Sequence, residues 1–379
     1  MALFRRSVSG VVVMGDFLRP NPQGLPGGVD GQIVWLFNAI KRQVALACGL
    51  PVSLLAVTRA PALEAWVASL RDPDAAHAFW ADAFAALPSA LRSDSAFARL
   101  ILAGIENRFC VGYELPPFLA RLLDTLELPY IDLRVHPVRF MDDLLLAARC
   151  SVPQTQARLV DFAVPESEVV ATASLREAML CYLPHAPLAA DTLLVVGQRP
   201  RDASQIVEGR FFEAEPHRAA VQRICDEHAA VLLKEHPDEQ GHGLIGLVRG
   251  IRPDATATEE NIYRLLAQPE IVSVLSVNSS VAAEAGYFGK RVHSLGPMPL
   301  SVAWKQESEA HRRAAHVSLD DCFLSVDFWR EILAPHARVS DKDGARLPPK
   351  PNRLRIASAS FWNFQQIDTD LIPHAGPHP

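Results

Sequence analysis

The sequence predicts an α/β protein of two Rossmann-like lobes facing each other across a cleft, with a C-terminal segment returning to the first lobe. Three observations carry that expectation. Short β-branched runs alternate with longer segments whose apolar residues recur at helical spacing. The alternation runs once, breaks at Leu183-Pro184-His185-Ala186-Pro187, and starts again. The 379 residues exceed one ordinary core and suit two α/β lobes plus connections.

The first lobe is expected over 1–187. Residues 11–14 (Val-Val-Val-Met) read as its first strand, ending at the turn Gly15-Asp16. Residues 32–48 are helical, with Ile33, Leu36, Phe37, Ile40, Val44 and Ala47 on one face. A strand at 52–57 follows, then Ala/Leu-rich helices at 61–70 and 75–87. Strands at 111–113 and 130–135 alternate with helices at 117–126 and 140–148. The second lobe is expected over 188–338, with strands at 192–196, 230–234, 271–277 and 291–295 and helices at 219–227, 259–266 and 281–288. The last segment, 339–379, is rich in Pro, Lys and Arg and ends near Phe361, Trp362 and Phe364, a composition suited to packing back on the first lobe.

Composition narrows the function classes. Apolar residues make up 49% of the chain, enough for sizeable cores, and charged residues 21%. A net charge of −6 opposes a protein that grips nucleic acid, since phosphate neutralisation needs a basic surface. Six scattered cysteines without a CxxC pair read as reduced, buried thiols of a cytoplasmic protein. No uninterrupted apolar run approaches the length of a membrane span, and the N-terminus reads as a strand, not a signal peptide.

Ligands of open α/β lobes bind beyond the C-terminal ends of the strands. Three such ends in the second lobe carry unusual polar clusters. The first is Gly197-Gln198-Arg199-Pro200-Arg201-Asp202, the second Lys234-Glu235-His236-Pro237-Asp238, the third Asn278-Ser279-Ser280 before a helix. A helix N-terminus with hydroxyls favours a phosphate, and a cation with an imidazole suits its charge. Singly, each has a plain reading: an N-cap, a loop histidine, a surface ion pair. Together they point to one anion-binding cleft. Competing motifs are absent: there is no GxGxxG, no GxxxxGK[ST] and no GxSxG, and His236 and His242 lack helical HExxH spacing.

At these residues the sequence resembles the retaining β-Kdo transferases of bacterial capsule and lipopolysaccharide assembly. The matching elements are Gln198 to Asp202, then Lys234-Glu235-His236-Pro237, then Ser279-Ser280, with Glu284-Ala285 and Gly289-Lys290-Arg291-Val292 downstream. Asn352-Arg353-Leu354-Arg355 leading to Phe361-Trp362 is similar, as are Gly112-Tyr113-Glu114-Leu115-Pro116-Pro117 and Val135-His136-Pro137-Val138-Arg139-Phe140 in the first lobe. The His-Pro and Ser-Ser elements are shared with bacterial sialyltransferases, which also use CMP donors. One departure stands out: Arg199-Pro200-Arg201 occupies a stretch where the family carries more acidic residues.

The resemblance implies a GT-B-like enzyme that moves Kdo from CMP-Kdo to a saccharide or lipid-linked glycan. Asp202 would be the nucleophile that forms a covalent sugar adduct. Gln198, Lys234, His236, Asn278, Ser279, Ser280 and Glu284 would bind the donor, and His236 would assist the leaving phosphate. Glu114 is the candidate base for the acceptor hydroxyl, or a carboxylate capping the helix that follows. Asp16 and Arg19 are acceptor candidates, or keepers of their own turn. His136 and Arg139 would meet a sugar carboxylate, or serve as buried structural groups. No metal or other cofactor is expected, because one phosphate needs only protein cations and the adjacent pairs Asp142-Asp143 and Asp320-Asp321 form no Asp-x-Asp motif. Peripheral contact with the inner membrane or with an assembly complex suits the Ala/Leu-rich helices. Three alternatives stay open: an inverting transferase of the CMP-sialic-acid type, a non-catalytic glycan-binding subunit of a polysaccharide assembly complex, and a hydrolase or epimerase acting on a nucleotide sugar.

Overall fold

A computed structural model describes residues 7–69, 72, 75–85, 96–183, 185–236, 241, 243–298, 300–304, 307–308, 311, 315–341, 347–348, 350 and 352–358. Pro184, Pro237, Asp238, His242, Phe361, Trp362 and Phe364 lie outside them, as do the expected helix ends at 70 and 86–87. The chain divides into two compact units. The first comprises Met1–His136, Asp143–Pro165 and Ser301–Phe364; the second comprises Pro137–Asp142, Glu166–Leu300 and Gln365–Pro379.

In the first unit, β1 (Gly10–Gly15) is buried along its whole length, as a central parallel strand covered on both faces should be. The helix α1 (Asp30–Cys48) buries Ile33, Leu36, Ile40, Val44 and Ala47, the face expected from spacing, and stops at Gly49 in a left-handed conformation. Its first residue, Asp30, accepts hydrogen bonds from the backbone N–H groups of Val57 and Thr58, fixing the turn after β2 (Val52–Leu54). There follow α2 (Pro61–Ser69), α3 (Ala76–Ala85), α4 (Ala96–Ile105), β3 (Arg108–Tyr113), α5 (Pro117–Thr125), β4 (Tyr130–Val135), β5 (Leu146–Cys150) and α6 (Pro153–Val160).

The expected helix at 140–148 is not formed. Its second half is β5, antiparallel to β4 with Val135 opposite Leu146 and Ile131 opposite Cys150. Leu144 to Ala148 are all buried, so no polar side of a helix marks this run; a short apolar stretch fits a buried strand equally well.

The second unit opens with α7 (Glu166–Leu180), followed by β6 (Thr192–Val196), the small hairpin of β7 (Ile206–Val207) and β8 (Arg210–Phe211), and α8 (Arg218–Asp226). Then come β9 (Ala230–Lys234), α9 (Gly243–Ile251), β10 (Thr256–Ala257), α10 (Ile262–Leu266), β11 (Ile271–Ser276), α11 (Ser280–Ala285) and β12 (Arg291–Ser294). The strands pair in parallel in the order β10-β9-β6-β11-β12. Counted within the unit this is 3-2-1-4-5, the doubly wound arrangement, whose order reverses between β6 and β11. Leu193, Val195, Val231, Leu233 and Leu275 pack with α8 and α9 in the core.

The chain then returns to the first unit through β13 (Val302–Ala303), β14 (His316–Leu319), α12 (Val326–Leu333) and α13 (Arg353–Ser358). The seven-stranded sheet runs β13-β14-β5-β4-β3-β1-β2, with β5 antiparallel to both neighbours. This corrects the expected boundaries of 1–187 and 188–338. β13 and β14 complete the first unit's sheet because β5 offers an edge that β14 pairs with. Conversely, α7 belongs to the second unit, where Tyr287 donates to Glu166. In the last segment, Leu354 and Arg355 donate backbone hydrogen bonds to Asp143, and the Trp35 indole donates to Ala357 O. All six cysteines are free thiols. No helix among the described residues is long and apolar enough to cross a membrane.

Candidate functional site

The order reversal of the second unit sets β6 and β11 side by side, and their C-terminal ends lie level, with Leu275 paired to Val195. A doubled hydrogen bond closes the gap beyond them. The Asn278 backbone N–H donates to Gln198 Oε1 at 2.9 Å, and Gln198 Nε2 donates to Asn278 Oδ1 at 3.0 Å. Asn278 is only 2% exposed, and its Nδ2 donates to Ser204 O at 2.5 Å and to Pro297 O at 3.2 Å. Gln205 Nε2 reaches the same Oδ1 at 3.5 Å. Asn278 thus acts as an internal hub, joining the loops after β6 and β11.

That hub supports Asp202. The loop after β6 tightens into a 3₁₀ turn, Ala203–Gln205, whose N-cap is Asp202 accepting from Ser204 N at 3.0 Å. Asn278 holds the carbonyl of the same Ser204. Asp202 itself is half-buried, and Arg201 before it adopts a positive φ of 57°. On the other side of β6, Lys234 pairs with Val196, and Gly197 N donates to Lys234 O. Glu235 pairs with Arg249 of α9, while Lys234 and His236 are both half-buried at the strand end. Ser279 caps α11, its Oγ accepting from Val281 N at 3.3 Å, and Ser280 is the first helical residue. The structure therefore brings Gln198, Asp202, Asn278 and Ser279 together and sets Lys234 level with them.

Glu284 stands apart from this group. It is 1% exposed and accepts from Arg139 N at 2.6 Å and from Tyr263 OH at 2.9 Å. Burial pushes its carboxyl up to about 7, against the pull of the Arg139 N–H. Arg139, expected on the acceptor lobe, belongs to the second unit: the connection Pro137–Asp142 is seated there by Glu284 and by Phe140, edge-on to Tyr263, Tyr287 and Phe288.

The first unit has its own reversal, between β1 and β3, and there Asp16, Arg19 and Glu114 meet. Asp16 Oδ1 accepts from the N–H groups of Leu18 and Arg19, and Oδ2 from the Trp80 indole at 2.7 Å. Burial raises the Asp16 carboxyl to about 6 despite these donors. Arg19 lies over the Trp80 ring and donates to Glu114 Oε2 at 3.0 Å. Glu114 sits at φ 48°, in the left-handed region. His136 is not part of this group: it is 1% exposed, shares a hydrogen bond with Ser318 and packs on Trp304.

Sequence reasoning passed over Asp132, Arg134, His316, Trp80 and Gln205. Asp132 lies 2% exposed under the Glu114 turn, accepting from Leu115 N at 2.8 Å and Arg134 Nε at 2.6 Å. His316 Nε2 lies 3.3 Å from it. Burial opposes the Asp132 charge, but Arg134 and the His316 hydrogen bond outweigh it and hold the carboxyl at about 2. Burial lowers the His316 pKa, so the neutral ring with Nε2–H is the donor. The available signal was two charges at alternate positions in Tyr-Ile-Asp-Leu-Arg-Val, an otherwise buried strand. Among the described residues no group of three or more His, Cys, Asp or Glu is placed to hold a metal ion.

No family model matches the chain, and no curated protein matches it. Among solved structures it is similar to the β-Kdo 2,7 transferase KpsC of Thermosulfurimonas dismutans, with a TM-score of 0.32 and 12% identity over 65% of this chain and 81% of that one.

Proposed function

We propose that the chain is a retaining glycosyltransferase of the β-Kdo type, taking its sugar from CMP-Kdo. The observation that carries the proposal is the Gln198–Asn278 clasp across the order reversal of the second unit, with Asp202 on one side of it and Lys234 level on the next strand. The reading is supported by the position of the clasp, which lies where doubly wound sheets bind ligands, between the loop that carries Asp202 and the turn in which Ser279 caps α11. The order of the motifs along the chain favours the same reading.

In this reading the second unit takes the donor and the first the acceptor, the division of labour of GT-B-like enzymes. Asp202 attacks the anomeric carbon as its bond to the phosphate oxygen breaks, and CMP leaves with the bonding electrons. Lys234 and His236 offset the charge growing on the phosphate, helped by the Ser279 and Ser280 hydroxyls. The acceptor hydroxyl then attacks the same carbon, passes its proton to Glu114 and releases Asp202. Two displacements preserve the anomeric configuration. No metal or cofactor enters this scheme. Capsule or lipopolysaccharide assembly is the process such an enzyme would serve, in the cytoplasm or peripherally at the inner membrane.

The test is a titration of CMP-Kdo and CMP-sialic acid against the protein, followed by intact-mass analysis. A mass increase of one Kdo residue that disappears in Asp202→Ala supports the proposal. Binding of neither donor, or transfer undiminished in Asp202→Ala, overturns it.

A further inference from the structure

We propose that Asp132 is a positioning residue: with Arg134 it clamps the peptide after Glu114 and so fixes the direction of the Glu114 carboxylate. The inference rests on the reading of Glu114 as the acceptor base, and its geometry lies wholly within the first unit.

Both backbone groups of Leu115 are taken by side chains of β4. Its N–H donates to Asp132 Oδ1 at 2.8 Å, and its C=O accepts from Arg134 Nη2. Asp132 Oδ2 in turn accepts from Arg134 Nε, so the two clamping side chains fix each other. One residue earlier, Glu114 N donates to Leu133 O at 2.9 Å. The backbone of Glu114 is thus held on both sides while its φ stays at 48°. A non-glycine residue keeps that conformation only where its surroundings impose it.

The same turn is closed from below. A Cβ at Gly112 would lie 2.2 Å from Leu115 Cγ, so Leu115 occupies the space over a residue with no side chain. At the other end of the Glu114 side chain, Arg19 holds Oε2, and the Asp16 turn with the Trp80 ring holds Arg19. A carboxylate supported at backbone and tip is a preorganised group, the form expected of a proton acceptor.

The experiment uses the full chain and two readouts. The first is a thermal-melt cycle of the parent, Glu114→Gly, Asp132→Ala and the double variant. Glycine relieves the left-handed strain, so its gain in melting temperature should be largest while the clamp is intact; the lost Arg19 contact is common to both backgrounds and cancels. The second is CMP release from CMP-Kdo with and without a panel of saccharide and lipid-linked acceptors. Per folded molecule, Asp132→Ala should lower acceptor-dependent kcat by about tenfold or more with an unchanged KM for CMP-Kdo. Asp132→Asn, which keeps an oxygen for Leu115 N–H, should recover part of the loss. Additive melts, or a parental kcat in Asp132→Ala, overturn the inference. A parent protein that transfers nothing defeats the transferase reading instead, and the melt cycle still decides whether the clamp exists. Where Asp132→Ala fails to fold, Asp132→Asn serves both readouts, and a parental kcat in it overturns the inference.

Discussion

The two units solve one problem with different chemistry. Strand order reverses between β6 and β11 in the second unit and between β1 and β3 in the first, and in each a buried polar residue supports a loop there. In the second unit the hub is Asn278, a neutral amide whose Oδ1 and Nδ2 are both hydrogen-bonded. In the first it is Asp132, an anion balanced by Arg134 and hydrogen-bonded by the His316 ring. An amide hub holds its loops at any ordinary pH. An ionic hub holds its turn more strongly but depends on every partner being present, because a lone buried charge is costly. The difference matches the loops they support: an N-capped 3₁₀ turn in one, and a left-handed glutamate in the other.

The largest effect that would break this comparison is catalytic. Asp202→Ala should reduce transfer from CMP-Kdo by about three orders of magnitude or more, measured as product formed per folded molecule. Removing the hubs ranks next. Asp132→Ala strands Arg134 and the Leu115 N–H and should cost about 3–5 kcal/mol in urea unfolding. Asn278→Ala removes the acceptor of Gln198 Nε2 and the donor to the Ser204 carbonyl, while the backbone bond to Gln198 Oε1 remains, and should cost about 1–3 kcal/mol. If Asn278→Ala proves the more costly, the ionic hub is not the stronger one.

Titration adds a second contrast, because Asp132 and Glu284 are buried carboxyls displaced in opposite directions. Asp132 is held at about 2, below its ordinary 3.8, so its contribution is present above pH 3.8 and is lost as pH falls towards 2. Glu284 is raised from 4.5 to about 7, so folding favours its protonated form. The Glu284 contribution to stability should therefore fall by up to about 3 kcal/mol as pH rises from 4.5 to 7, alongside a fall of the same sign from Asp16, and Glu284→Gln should remove its part of the slope in urea unfolding followed across pH. The smallest expected effect is the loss of the α11 cap: Ser279→Ala should lower stability by about 1 kcal/mol.

Much of the second unit was legible. Thr192–Val196 and Ala230–Lys234 have the bounds that their apolar runs suggest, and the motifs at their ends are local in sequence. The strand β5 was not legible, because a run buried on both faces has no polar side to reveal its period. Glu284 joins the expected donor site through the family resemblance of Glu284-Ala285 alone. In the folded unit it is buried against Arg139, 145 residues away in the chain. Asp132 and Arg134 were visible as charges in a strand, but nothing local says that they reach Leu115, 17 and 19 residues before them.

By itself the sequence determined the α/β class, the positions of most strands and helices, and the polar clusters at the strand ends. Those follow from short-range periodicity and turn chemistry, which a linear chain carries openly. Only the tertiary structure decided that β13 and β14 complete the first sheet, that Pro137–Asp142 is seated in the second unit, and which polar groups form the hubs. Strand pairing and the satisfaction of buried polar groups join residues far apart in the chain, and burial, not spacing, selects their partners.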